Sequence, residues 1–439
     1  MPNPILPLWE YIPDGEPRVF GDRVYLYGSH DRYAGEDFCD FKLKVWSAPV
    51  NDLNNWQCHG HSFHTNPDRD HPTDADWTER ELYAPDVVTN HGKYYLYAYI
   101  LCSKGCVGVS NKPEGPFELL GQYKYDEKDG GDGGIFNDPG VLVDDDGRVY
   151  IYYGFEKSHF GEINGENMHE IIKGTYQEDI IPEGKGDTDY FEASSPRKIN
   201  GKYYLIYSPR KGSHLDYAIA DKPQGPFVRM GTIVDNSIDY PGGNNHGSVC
   251  CINGQWYIFY HKMTNGTIMS RRACVEKIEI LPDGTIPQVE MTSLGFEESL
   301  NPYKTTPAEI ACVLKGGCFI TEKDCFTRTV TGIKTGSVIG YKYFDFGEDN
   351  STKTMEFAAD VIGNGCRGEI HILIDDPDNG KEIGVCPIDT HDGVYKAAVE
   401  KVCGRHSVFF KVNHIYKGWM AYTFDERNIF EFKSFVFMK

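Results

Sequence analysis

Long apolar runs are missing from this chain of 439 residues. No stretch approaches the roughly 20 consecutive apolar residues that span a bilayer, so no membrane is expected as a partner. Met1 to Pro7 lack a basic segment followed by an apolar one, so no secretion signal is read and a cytoplasmic protein is expected. Positive charge is also short: 44 Lys and Arg stand against 65 Asp and Glu, a net charge of -21. Such a chain repels nucleic acid and anionic lipid alike, and neither is expected to bind. The 13 cysteines lack zinc-site spacing, and Cys102 and Cys106 stand too isolated for one. Several lie in strand-like runs, which suits reduced packing residues. The adjacent Cys250 and Cys251 should point to opposite faces of a strand.

What the chain has instead is aromatic residues and turns, with 29 Tyr, 24 Phe and 47 Gly. One pattern recurs five times: a turn glycine, a polar residue, then an aromatic-rich strand. The copies are Gly21-Asp-Arg-Val-Tyr-Leu-Tyr-Gly-Ser29, Gly92-Lys-Tyr-Tyr-Leu-Tyr-Ala98, Gly147-Arg-Val-Tyr-Ile-Tyr-Tyr-Gly154, Gly201-Lys-Tyr-Tyr-Leu-Ile-Tyr-Ser208 and Gly254-Gln-Trp-Tyr-Ile-Phe-Tyr-His261. Each reads as the second strand of a hairpin. A third strand and exit turn follow in three copies, as in Val109-Ser-Asn-Lys-Pro-Glu-Gly-Pro-Phe117 and Ile219-Ala-Asp-Lys-Pro-Gln-Gly-Pro-Phe227. A repeat of three or four strands every 50–60 residues is a propeller blade. The expected architecture is all-β: a five-bladed β-propeller over residues 1–290, a linker over 291–305 and a β-sandwich of jelly-roll type over 306–439. The last is read from plain alternating strands at 336–347, 354–361 and 368–375.

In a propeller the first strand of each blade lines the central channel. Counting back from the turn glycines finds Asp14 seven residues before Gly21, Asp138 nine before Gly147, Glu192 nine before Gly201 and His246 eight before Gly254. Three carboxylates and a histidine therefore occupy equivalent places and should converge on one pocket. Singly, each is better read as a turn cap; together they favour chemistry. Hydrolysis of a glycoside with inversion needs one carboxylate to activate water and one carboxylic acid to protonate the leaving oxygen. A third carboxylate nearby keeps the acid protonated, because like charges resist joint ionisation. His30 and Asp31 end the first hairpin and are placed at the pocket rim. Asp86 reads as a turn residue, the run Asp144 to Asp146 as a solvated turn, and Arg272 as the exposed neighbour of Arg271.

The flanking motifs carry a family resemblance. Asn3-Pro-Ile-Leu-Pro7 with Ile12-Pro-Asp14, Asn137-Asp-Pro-Gly140, Phe191-Glu-Ala-Ser-Ser-Pro196, Asn245-His-Gly-Ser248 and Ser270-Arg-Arg272 resemble, in order and spacing, glycoside hydrolase family 43. The resemblance implies an inverting propeller enzyme acting on arabinose- and xylose-containing oligosaccharides. It implies Asp14 as general base, Asp138 as pKa modulator, Glu192 as general acid, His246 at the channel floor beside water or a calcium ion, and Arg271 on the sugar or the modulator. No cofactor is required; a structural calcium is the one ion it suggests. The chain departs from the family pattern in two places. Gly15, Glu16 and Pro17 follow Asp14 where a proline is usual, which makes Glu16 a rival base. Tyr83 stands where many relatives have Trp, altering the wall of the sugar pocket. The C-terminal strands resemble carbohydrate-binding module family 6, with Trp419 and Tyr395 as stacking candidates. The leading expectation is an exo-acting α-L-arabinofuranosidase. A β-xylosidase, a galactofuranosidase and a non-catalytic glycan-binding propeller are the alternatives.

Overall fold

The computed structural model describes residues 1–439 except 34, 68–71, 102–104, 125–135, 183–185, 238–243, 325 and 350; Cys102 thus lies outside the described residues. Strands dominate, and no described helix is long and apolar enough to cross a membrane. Five antiparallel sheets follow one another along the chain, spanning residues 16–64, 82–122, 140–178, 190–235 and 248–278. Each runs in simple sequence order, with four strands in the first four sheets and three in the fifth. They are the blades of the propeller, and each of the five glycine motifs forms its blade's second strand.

The fifth blade is completed from the other end of the chain. Ile5 N donates to Ala273 O at 2.9 Å, and Asn3 exchanges bonds with Val275 through both atoms of its side-chain amide. Ile5, Leu6 and Ile12 are buried between the first and last blades. Closure removes the free edge that an open sheet would expose. Apolar clusters fill the other spaces between blades, and each includes aromatic residues of the glycine motifs. Cys250 is buried and Cys251 exposed, on opposite faces of their strand.

The inner strands crowd the axis. A Cβ on Gly140 would sit 2.2 Å from Ser194 O, so only glycine lets the third and fourth blades meet there. Two ion pairs cross the channel. Arg18 of blade one makes a bidentate pair with Asp86 of blade two (2.9 and 2.6 Å) and donates to Val141 O of blade three at 3.0 Å. Arg197 of blade four binds Glu16 of blade one at 2.7 Å and Val249 O of blade five at 2.9 Å. Asp86 is therefore a strut between blades and not a simple turn residue. Among Asp144 to Asp146, the last two are exposed, but Asp144 is buried and accepts bonds from Tyr203 and Lys198.

Residues 306–438 form two further antiparallel sheets. One contains Phe319–Glu322, Arg328–Thr331, Phe430–Met438, Thr354–Gly363 and Gly393–Glu400; the other contains Val313–Lys315, Ser337–Asp345, Arg405–His414, Gly368–Ile374 and Lys381–Ile388. Their facing sides share one core rich in Phe357, Phe410, Phe432, Phe435 and Phe437. Tyr395 packs partly against that core, whereas Trp419 is 89% exposed. The segment before the sandwich is tied to both sides. Thr292 donates twice to buried Glu276, and Ser293 N and Leu300 N bond to Lys342 O and Tyr343 O.

Candidate active site

The strands that line the channel begin with distorted backbone. Asp14 and Asp138 sit at φ 56° and 47°, and Ala84 and Ala193 at 35° and 68°. Asp tolerates the left-handed region better than most residues. Ala193 sits within a pairing irregularity at Glu192–Ser195, and Ala84 within its counterpart at Tyr83–Asp86. Such bulges re-aim the preceding side chain. They turn Glu192 and Tyr83 toward the axis at corresponding places in blades four and two.

The result is one cavity of about 730 Å³ at the channel mouth. Asp14, Asp138, Glu192, His246, Arg271 and Tyr83 all line it. His246 Nδ1 stands between two carboxylates, 3.9 Å from Asp14 Oδ1 and 3.8 Å from Asp138 Oδ2. Tyr83 donates from its hydroxyl to Phe38 O at 3.3 Å.

Asp14 is buried among compensating groups. Arg271 Nη1 donates to Oδ1 at 2.8 Å, Ser29 Oγ to Oδ2 at 2.6 Å, and His261 Nδ1 lies 3.3 Å from Oδ1. Burial opposes its charge, but Arg271, His261 and His246 outweigh burial and hold the carboxyl well below the ordinary range. Glu192 has the opposite setting. Burial and then the Asp14 charge raise it to about 7, against the amide donated by Asn244. Burial also raises Asp138 to about 7, opposed by His246 and reinforced by Glu192 and Asp14. Asp138 Oδ2 accepts Ala193 N at 3.2 Å, so it steadies the backbone that carries Glu192.

Comparison with known proteins matches the model of glycosyl hydrolases family 43 over residues 1–286. A xylosidase/arabinosidase of Thermoclostridium stercorarium is 36% identical, over 93% of this chain and 95% of its own. The chain belongs to glycoside hydrolase family 43.

Solved structures of the family share the fold. An arabinoxylan arabinofuranohydrolase from Bacillus subtilis, in complex with cellotetraose, superposes with a TM-score of 0.55 at 23% identity, over all of this chain and 97% of that one. A β-xylosidase/α-arabinofuranosidase from a compost microbial metagenome, in a calcium-free form with xylotriose, gives 0.55 at 27% identity over 66% and 97%. This family 43 glycoside hydrolase thus shares its fold with solved structures.

Three expectations need correction. Asp31 is 1% exposed and does not line the cavity. It lies behind Arg271, accepting its backbone N, Nε and Nη2, each at 2.9 Å, because the hairpin end that bears it turns under the arginine instead of over the rim. His30 likewise points away, to Glu10 at 2.9 Å and Asp40 at 3.4 Å. Glu16 is spent on Arg197, one strand step down the channel from Asp14. Arg272 is 1% exposed, not solvated, because the second domain covers its face of the strand.

His261, Ser29 and Asn244 are site residues that sequence reasoning missed. Ser29 and His261 are the last residues of the first and fifth glycine motifs, and that shared position was the available signal. A calcium beside His246 finds few donors. Among the described residues no group of three or more His, Cys, Asp or Glu is spaced to hold an ion, and both Asp14 oxygens already accept protein bonds. The residues present do not fit calcium.

Proposed function

We propose that this enzyme releases terminal L-arabinofuranose from arabinose- and xylose-containing oligosaccharides with inversion, Asp14 acting as base and Glu192 as acid. The observation that carries the reading is the opposed setting of two carboxyl groups on one cavity. Asp14, kept ionised, takes a proton from water as that water attacks the anomeric carbon. Glu192, kept protonated to about pH 7, gives its proton to the leaving oxygen on the other side. Burial and the Asp14 charge keep the proton on the acid, and Asp138 holds the acid's position through Ala193 N. His246 and Tyr83 provide polar walls for the sugar.

The ion pairs Arg18–Asp86 and Arg197–Glu16 lie on the inner strands and do not line the cavity. The cavity's volume lies within the range of small-molecule sites. The name xylosidase/arabinosidase of the Thermoclostridium relative carries both activities, so β-xylosidase activity stands as the second reading. Hydrolysis of a panel of nitrophenyl furanosides and pyranosides tests the assignment. Turnover should be highest on the α-L-arabinofuranoside. Activity confined to the β-xyloside would move the enzyme to the second reading, and inertness toward the whole panel would refute both.

A further inference from the structure

The strand that brings Arg271 into the cavity also carries Arg272, and neighbouring strand residues leave on opposite faces. Arg272 faces the sandwich. Its guanidinium lies 4.6 Å over the Tyr11 ring and donates to the Tyr11 hydroxyl at 3.1 Å and to Glu322 Oε1 at 3.2 Å. Glu322 ends the sandwich strand Phe319–Glu322 and accepts the Tyr11 hydroxyl as well. One carboxylate of the second domain therefore grips two propeller segments. One lies three residues before Asp14; the other is next to Arg271.

The grip continues inward. Tyr11 O accepts Asp31 N at 3.0 Å, and Asp31 is the carboxylate that holds Arg271. The hairpin bearing Arg271 is pinned to the same sandwich strand, with Asn265 N donating to Ile320 O at 2.6 Å. Arg328 adds a second cation 3.2 Å from Glu322. Glu322 is also the carboxylate paired with Arg272, whose Nε and Nη1 are buried without a hydrogen-bond partner among the described residues. Removing one partner of a buried ion pair leaves the other charge uncompensated, and the segment that bears it shifts.

We propose that Glu322 of the sandwich is a positioning residue for the active site, setting the placement of Arg271 against Asp14 through Arg272 and Tyr11. The inference rests on Asp14 being the base. The test uses the full chain and a nitrophenyl glycoside that the wild type hydrolyses, with pH profiles taken well below each variant's melting temperature. Glu322→Ala should lower kcat about 10- to 100-fold, as misplacement remote from the chemistry does, with little change in KM. Its acid limb should move to higher pH, since a displaced Arg271 holds the Asp14 proton off less strongly. The other titratable groups facing Asp14, which are His246, His261, Asp138 and Glu192, are untouched. Glu322→Gln, which keeps an oxygen acceptor for Tyr11 and Arg272 but not the charge, should recover part of kcat. If Glu322→Ala does not fold, Tyr11→Phe is read instead, with the same limb shift at smaller amplitude. A lower melting temperature with kcat and acid limb unchanged would overturn the positioning role. An Asp14→Ala enzyme with normal turnover would instead remove the base assignment beneath it.

Discussion

The two walls of the cavity are built alike and charged differently. On the side of blades one and five, Asp14 has an arginine, two histidines and a serine around it, and its charge is compensated. On the side of blades three and four, Asp138 and Glu192 share burial with no arginine or lysine bonded to either among the described residues, and both are raised to about 7. Each wall offers a carboxylate from the head of an inner strand. What separates acid from base is therefore the neighbours supplied by adjacent blades, not the residue type or its place in the repeat.

Breaking the compensated wall should have the largest effect. Asp14→Ala should lower kcat/KM by about 10²–10⁴-fold and by a similar factor on activated and unactivated leaving groups, because water activation is lost whatever departs. Steady-state kinetics on both substrate types checks this. The support beneath that wall comes next. Asp31→Ala leaves buried Arg271 without its bidentate partner and should cost about 3–5 kcal/mol of stability. Chemical denaturation measures it; a loss under 1 kcal/mol would show that Arg271 does not depend on Asp31.

The uncompensated wall can be sharpened by removing one carboxyl. Glu192 must be protonated to act, so activity should fall as pH rises through about 7. Asp138→Asn removes the carboxylate that accepts Ala193 N, so Glu192 loses part of its placement. The rate should fall while the alkaline limb of the pH–rate profile stays near 7, where burial and the Asp14 charge set it. The smallest effect lies far from both walls. Trp419 is almost fully exposed, so Trp419→Ala should change stability by no more than about 0.5 kcal/mol and leave turnover of a small glycoside unchanged.

The blades were legible because the glycine motif repeats, and a turn glycine fixes where the channel strand must begin. Asp14, Asp138, Glu192 and His246 were found by counting back from those glycines, and the structure brings all four to one cavity. The same counting could not show what stands behind a residue. Asp31 and Arg272 were misplaced for that reason: one lies under Arg271 and the other beneath a second domain, and both neighbours are remote in sequence. Glu16 and Asp14 are two positions apart on one channel-facing segment, and only the partner blades send one to Arg197 and the other to Arg271.

The division of labour between the walls is tested most directly by the leaving-group dependence of Glu192→Ala. The variant and the wild type are compared on a nitrophenyl glycoside and on the alkyl glycoside of the same sugar. Loss of the acid should cost on the order of 10²-fold or more on the alkyl glycoside, and far less on the nitrophenyl glycoside, whose leaving group departs without a proton. Equal losses on the two substrates would contradict the assignment of Glu192 as the proton donor.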